Sequence, residues 1–465
     1  MCSHEVKQSW EEVSRHDEQV KDNQILDSMW VYVYKLNKTG HLVKCKARLV
    51  VRGDQQQKTL AEENHAATLA ARSFRKVLAT AARFDLKLKQ FDAVNVFVNA
   101  GIDKDVFMQM PQGYRKPGTV LKLKRALYGL RQSPLLWQRA LASTLENLGF
   151  RAVPQEPCIV TNKGIIIFFY VDDIVLAYRK RDRKRAEELI NGLRARYELT
   201  GGDDLHWFLG LEVHRDRTKR LVWLSQTAYI EKIFRLAQDQ KTEKTPMDTK
   251  EVLPYLEIAT SGSVGLYQRK IGSLLYVAIN TRPDVAFVTS RLARFNQNPG
   301  PEHHKAADRV LCYLYATRFL ALQLRGGDIL IVASDASFAD KSLDRKSSQG
   351  YAIILFGGLI AWRASKQDTV TTSATEAELL ALAQAAKEGM FLQRLLKELS
   401  IELVDHQLSI QCDNRQTIRL INAEVTTLQT KLRHVDIHNH WLRQERRTGG
   451  SRWNTCPPKR CWPMA

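Results

Sequence analysis

Short apolar runs, alternating with polar residues or bounded by Gly, Pro, Asn and Asp, divide the chain into strands and helices. Residues 30–35 and 42–51, on either side of a polar turn at 37–40, predict a β-hairpin whose second strand carries Lys44, Lys46, Arg48 and Arg52. Helical spacing over 68–84 leads into a strand at 86–91 that ends at Asp92. A loop punctuated by Pro111, Gly113, Pro117 and Gly118 precedes a strand at 120–123, and a helix over 133–148 stops at Gly149. Two apolar runs, 165–171 and 174–178, flank Asp172 and Asp173 and predict a hairpin with these acids at its tip.

Farther along, the pattern predicts a basic amphipathic helix at 182–197, a strand at 207–213, a helix at 226–238 and a mostly helical stretch over 264–317. Gly326 and Gly327 mark a boundary. Beyond it lie a strand at 329–333, a hairpin of 351–356 and 359–363 across Gly357-Gly358, a long helix at 375–399, a strand at 408–412, and helices at 415–422 and 434–445. Residues 1–29 are polar with little periodicity and read as a surface lead-in.

Composition narrows the class. A chain of 465 residues exceeds one ordinary core, so two or three domains are expected, and 44% hydrophobic residues suffice to fill them. Seventy Lys and Arg against 50 Asp and Glu leave a net +20, an excess that points to a polyanion, nucleic acid first. The seven cysteines form no C-x-x-C pair and read as reduced thiols of an intracellular protein. The first residues lack the order of a signal peptide, and no apolar run has the length of a membrane span, so a cytoplasmic or nuclear location is expected, with no membrane partner. His303, His304 and the other histidines lack metal-site spacing.

The acids carry the chemistry. Adding a nucleotide to a primer needs Mg2+, which takes hard oxygen ligands and keeps places for water and phosphate, so two or three converging carboxylates suffice. Asp92 at a strand end and Asp172-Asp173 at a hairpin tip meet that need if their strands are neighbours in one sheet. An Asp pair at a turn is weak by itself, because turns favour Asp. Its context is stronger: Tyr170-Val171-Asp172-Asp173 resembles the Y-x-D-D box of reverse transcriptases.

Other motifs follow in the order expected of copia-type LTR retrotransposon Pol polyproteins. Lys46-Ala47-Arg48-Leu49-Val50 resembles their K-A-R-L-V box, residues 90–100 their first catalytic box, and Leu127-Tyr128-Gly129-Leu130-Arg131-Gln132 their Y-G-L-[KR]-Q segment. Phe208-Leu209-Gly210-Leu211-Glu212 looks like the primer-grip strand, and Thr281-Arg282-Pro283-Asp284 matches the T-R-P-D motif between polymerase and nuclease. The resemblance implies that Asp92, Asp172 and Asp173 ligate metal, that Lys46 and Arg48 (Arg52 less directly) hold the triphosphate, and that Phe97 lies under the sugar and selects deoxynucleotides. It also implies that Tyr128, Gly129 and Gln132 line the nucleotide pocket. For Phe97 and Tyr128 ordinary packing is the competing reading. The cations from Arg179 to Arg185 are read either as a template-steering face or as a solvated one.

In the last third, Ser334-Asp335-Ala336-Ser337, Ala374-Thr375-Glu376-Ala377-Glu378-Leu379 and Cys412-Asp413-Asn414 resemble the boxes of the ribonuclease H fold, in the same order. The resemblance implies Asp335, Glu378 and Asp413 as metal ligands, with Glu378 preferred over Glu376. A fourth acid is expected in a later A-D-x-L-T-K ending; the chain closes instead on RRTGGSRWNTCPPKRCWPMA, with Asp436 an imperfect substitute. One permitted choice of codons for residues 452–465, read in another frame, restores a family-like ending. A frameshifted tail lacking the last helix is therefore expected, and nuclease activity below that of an intact relative.

The expectation is an α+β fingers-palm-thumb reverse transcriptase joined by a helical connection to a ribonuclease H-like α/β domain. Its divisions are a lead-in at 1–29, reverse transcriptase at 30–245, connection at 246–327, ribonuclease H-like domain at 328–448 and frameshifted tail at 449–465. The family implies RNA-directed DNA polymerase activity with Mg2+ or Mn2+, and partners that include an RNA template, a DNA primer, RNA–DNA hybrid and deoxynucleoside triphosphates. It also implies a retrotransposon particle as location, with protease and integrase segments outside this chain and a shortened N-terminal end. The alternatives are a decayed, inactive retrotransposon copy and a non-catalytic nucleic-acid-binding remnant.

Overall fold

The computed structural model describes residues 8–36, 41–57, 66–339, 345–403, 407–423 and 433–455. The turn expected at 37–40 and the tail beyond 455 lie outside them. Contacts divide the chain into two compact units, Met1–Leu69 with Lys89–Asp204, and Ala70–Leu88 with Leu205–Ala465.

Among the described residues the first unit holds three sheets. In one, β1 (Trp10–Ser14), β7 (Thr119–Leu123), β6 (Phe107–Gln109) and β2 (Ile25–Leu26) lie side by side in that order. Residues 10–14 and 25–26 are thus strands of a sheet, which corrects the reading of 1–29 as a surface lead-in. Trp10 pairs with Leu123 and Ser14 with Thr119, partners more than a hundred residues away that no local period reveals. Helix α1 (Glu18–Lys21) sets Val20 against Phe107 and Val120. A two-stranded ribbon of β3 (Ser28–Leu36) and β4 (Leu42–Val51) realises the first predicted hairpin.

The third sheet has six strands, β12 (Leu199–Asp204), β5 (Lys87–Ala93), β11 (Asp173–Tyr178), β10 (Ile165–Tyr170), β9 (Ile159–Asn162) and β8 (Arg151–Ala152). Its apolar runs are continuous rather than alternating because the central strands are covered on both faces: Ile165, Ile167, Phe168, Ile174 and Val175 are fully buried.

In the second unit, β13 (Trp207–Phe208), β14 (Leu211–Asp216), β15 (Leu221–Ser225) and β16 (Leu322–Leu324) form one sheet. The strand expected at 207–213 is instead a tight hairpin. Leu209 and Gly210 both adopt positive φ, 52° and 74°, the pairing that a two-residue turn between twisted strands demands. Helices α5 (Thr227–Phe234), α6 (Ser261–Asn280), α7 (Ala286–Leu292) and α8 (Pro301–Ala316) enclose a core of Ile233, Tyr267, Leu274, Val288 and Val310. The Thr281–Asp284 motif staples this bundle: buried Arg282 pairs with Asp284 at 2.7 Å and donates to the Thr317 carbonyl, while Thr281 bonds Gln226. Among the described residues no helix is long and apolar enough to cross a membrane.

The remaining sheet runs β19 (Gly358–Lys366), β18 (Ser348–Leu355), β17 (Leu330–Ser337), β20 (Leu408–Cys412), β21 (Ser451–Thr455), antiparallel among the first three strands and parallel between β17, β20 and β21. The β18–β19 turn is Phe356-Gly357, one residue earlier than expected. Gly358 opens the strand because a Cβ there would come within 2.8 Å of the Leu324 backbone. Residues 451–455, expected to be a foreign tail, supply the fifth strand, with Trp453 buried, since a strand needs only backbone pairing and an apolar residue facing inward. Helices α9 (Ala374–Glu398), α10 (Arg415–Asn422) and α11 (Arg433–Arg447) complete the layer. Helix α2 (Ala71–Arg83), from within the expected polymerase segment, belongs to this unit: buried Arg75 donates to the Ile360, Ile279 and Asn280 carbonyls and stacks over Trp362.

Candidate active sites

In the first unit β5 lies beside β11, and the Ala93 amide donates to the Asp172 carbonyl at 2.9 Å. That pairing brings Asp92 next to Asp172 and Asp173, the condition on which the sequence reading hung. The tip of the β10–β11 hairpin is Val171-Asp172, closed by the Tyr170–Asp173 pair. Val171 has φ 54°, a costly conformation for a β-branched residue. Its carbonyl is held by the indole N–H of Trp137 at 2.7 Å, from within α3 (Ser133–Asn147). Gln90 donates to Asp173 Oδ1 at 3.0 Å. Burial raises the Asp173 carboxyl, the Gln90 bond opposes that, and the charges of Asp172 and Asp92 raise it further. Asp92 itself is exposed and Asp172 half-buried, so the cluster opens to solvent.

Of the predicted nucleotide-pocket residues, Tyr128 lies within electrostatic reach of Asp172 and Asp92, and Phe97 and Arg48 lie against Tyr128. Phe97 lies in a short 3-10 turn, Val96–Asn99, and meets Tyr128 edge-on with centroids 4.7 Å apart. The Arg48 guanidinium sits 5.6 Å from the Tyr128 ring centre. Burial raises the Tyr128 hydroxyl, Asp172 and Asp92 add to that, and Arg48 opposes it. Val51 N–H donates to the Tyr128 carbonyl at 2.8 Å, and Gly129, with φ 96°, approaches so closely that a Cβ would stand 2.0 Å from Val51 O. Here glycine is required. Gln132 stands at the N-terminal end of α3 without a side-chain capping bond, and Lys46 is half-buried on β4 beside Arg48. Half-buried Arg52 pairs with Asp54 at 2.7 Å. The cations before and in α4 (Arg183–Arg194) are partly spent on neighbours: Arg183 on Glu187, Arg185 on Asp182 and the Lys163 carbonyl.

In the second unit Asp335 on β17, Glu378 on α9 and Asp413 just past β20 act on one another. Glu378 Oε1 accepts from the Ala336 amide at 3.2 Å, and the Cys412 thiol donates to Glu378 Oε2 at 3.6 Å. Burial pushes the Glu378 carboxyl up to about 8, aided by the charges of Asp335 and Asp413. Burial and Asp413 also raise Asp335. Ligand atoms of Glu378, Cys412 and Asp413 lie within 4.8 Å of one another, the one such group of three among the described residues. Glu376 instead caps its own helix, accepting from the Thr372 amide and hydroxyl at 2.7 Å. Asp436 faces His440 on the exposed side of α11, 3.6 Å away. Neither joins the group.

Both acidic clusters fit a divalent cation by their donor set of hard carboxylate oxygens, and burial together with neighbouring acids raises Asp173 in the first and Asp335 and Glu378 in the second. Sequence reasoning missed Trp137, Gln90 and Cys412 as parts of these sites. The first two act through bonds that only tertiary structure makes, although Gln90 and Cys412 stand beside acids already singled out.

Comparison with known proteins identifies the family. The family described as reverse transcriptase (RNA-dependent DNA polymerase) matches residues 9–249, beginning at β1. The chain is 32% identical over 434 residues to the Retrovirus-related Pol polyprotein from transposon TNT 1-94 of Nicotiana tabacum, covering 89% of this chain and 32% of that protein. It is 31% identical to the polyprotein from transposon RE1 of Arabidopsis thaliana, covering 92% of this chain and 30% of the relative. The chain thus spans about a third of the length of these plant polyproteins. A putative transposon Ty5-1 protein of Saccharomyces cerevisiae is 31% identical, with 64% of this chain and 99% of that protein covered. A foamy viral protease-reverse transcriptase solved in complex with dsDNA shares the fold at 14% identity, with a TM-score of 0.52 over 96% of this chain and 79% of that one. The chain belongs to the reverse transcriptase (RNA-dependent DNA polymerase) family, in the form carried by the Pol polyproteins of copia-type LTR retrotransposons.

Proposed function

We propose that the chain is an RNA-directed DNA polymerase that extends a DNA primer with deoxynucleoside triphosphates on an RNA or DNA template and releases pyrophosphate. The observation that carries this reading is the β5–β11 neighbourhood, with the Ala93 amide bonded to the Asp172 carbonyl. Asp92, Asp172 and Asp173 would hold Mg2+, with Mn2+ as a substitute. Bound there, the ion activates the primer 3′-hydroxyl and neutralises charge on the triphosphate.

The chain's own residues do the rest. Lys46 and Arg48 receive the phosphates, Arg48 being steadied over Tyr128. Tyr128 and Phe97 form a rigid aromatic corner, and Phe97 excludes a ribose 2′-hydroxyl by contact. Gly129 brings its backbone against β4, and Gln132, at the start of α3, lines the pocket beside that turn. Trp137 fixes the strained tip so that Asp172 keeps its direction.

The second unit would hydrolyse the RNA strand of an RNA–DNA hybrid, with Asp335, Glu378 and Asp413 holding the ions. Its activity is expected to be the weaker, because no fourth acid joins these three among the described residues. The net charge of +20 suits both polyanionic partners. A binding protein without catalysis would need that charge but not two gatherings of acids. Primer extension on an RNA template by the wild type beside Asp172→Asn tests the polymerase reading. Incorporation by the wild type alone is expected, and equal incorporation by both overturns it.

A further inference from the structure

The nuclease cluster differs from the polymerase cluster in one donor. Cys412, the last residue of β20, is fully buried and directs its sulfur to Glu378 Oε2 at 3.6 Å. With Zn–S near 2.3 Å and Zn–O near 2.1 Å, two ligands on a tetrahedral ion stand roughly 3.6 Å apart. Asp413, the next residue, contributes a carboxylate oxygen, and all three ligand atoms lie within 4.8 Å of one another. Among the described residues no cysteine is grouped with the polymerase acids, and Cys158 is bonded to the Ala67 carbonyl at 3.3 Å.

We infer that Cys412, Glu378 and Asp413 form a thiophilic metal site, which takes Zn2+, Cd2+ or Co2+ in preference to Mg2+ and thereby silences the nuclease while sparing the polymerase. The inference rests on the reading of this cluster as a metal-binding nuclease centre. As the sulfur–metal bond forms, the thiol proton leaves to solvent, and two carboxylates with one thiolate surround the ion. Thiolate favours these borderline or soft ions, whereas Mg2+ gains nothing from sulfur.

Binding is read spectroscopically, apart from activity. The full chain carrying Cys2→Ser, Cys45→Ser, Cys456→Ser and Cys461→Ser, stripped of metal, is titrated with Co2+. A thiolate-to-cobalt charge-transfer band saturating at one ion per chain is expected. The band should vanish in Cys412→Ser and in Cys412→Val, and its midpoint should rise at least ~10-fold in Asp413→Asn. Thermal unfolding of both Cys412 variants identifies whichever is folded for the comparison. No band at saturating Co2+, or a band that survives loss of Cys412, overturns the inference. In the second arm, Zn2+ added over Mg2+ should stop hybrid cleavage at concentrations that leave primer extension intact. Equal inhibition of both activities overturns the selectivity. Were hybrid cleavage absent under every condition, the nuclease reading would fail while the cobalt band still judged the site.

Discussion

Two gatherings of acids in this molecule solve the same electrostatic problem at different depths. The polymerase acids stand at the end of an antiparallel hairpin and its neighbouring strand. Asp92 is exposed, Asp172 and Asp173 are half-buried, and Gln90 offers a hydrogen bond. The nuclease acids come from two parallel strands and a long helix, and Glu378, only 5% exposed, has a thiol and one amide for company. Water can screen the first set. The second is screened far less, and its carboxyl at 378 rises to about 8. Depth therefore determines how strongly each cluster relies on a cation for the stability of its own unit.

The largest test of this contrast is Asp172→Asn. It is expected to lower incorporation at least ~1,000-fold, because a metal ligand at the reacting end is lost. Its melting temperature should hardly move, since the site is open to water. Primer extension and thermal unfolding of one preparation check both halves, and a large loss of stability would erase the distinction between shallow and deep clusters.

Glu378→Gln probes the other side. Hybrid cleavage should fall at least ~100-fold. Without metal, folding keeps Glu378 protonated up to a pH of about 8, whereas the unfolded chain ionises near 4.5, so the folded state binds more protons in between. Stability of the metal-free wild type should then decline as pH rises from about 4.5 to 8 and level off above it. The neutral amide removes that decline and should stabilise the metal-free protein by roughly 2–4 kcal/mol at pH 8. Added Mg2+ should protect the wild type more at pH 8 than at pH 5.5. Chemical denaturation across this range decides the matter; parallel curves for wild type and variant would refute the burial argument.

Phe97→Ala sharpens the comparison at the polymerase end, where selection is by shape. Discrimination against ribonucleotides should drop roughly 10–100-fold, with deoxynucleotide incorporation reduced less. Competition between the two triphosphates in primer extension measures it, and unchanged discrimination would return Phe97 to ordinary packing against Tyr128. The smallest effect is expected from Asp436→Asn. Facing His440 in solvent, it should change stability by less than about 0.5 kcal/mol and leave hybrid cleavage within twofold. A large loss of cleavage would make Asp436 the missing fourth acid.

Much of the architecture was readable along the chain. The hairpin at 165–178 stood out because its apolar runs are continuous, and the 25-residue helix Ala374–Glu398 because its period persists. Less readable were β1, whose partner is β7, and the hairpin at 207–216, where Leu209 in a left-handed turn mimics an unbroken apolar strand. Residues 451–455 likewise gave no local sign that they would extend the β20 edge.

What the sequence alone determined was the inventory and its order: six acids in family boxes, a basic excess, and the periods that make strands and helices. These are local properties, set by side-chain type and by spacing. Tertiary structure decided which strands became neighbours, hence that Asp92 meets Asp172, that Trp137 grips the Val171 carbonyl, and that Cys412 lies beneath Glu378. Those outcomes depend on hydrogen bonds and burial between residues tens of positions to about a hundred apart, and side-chain period carries no information about them.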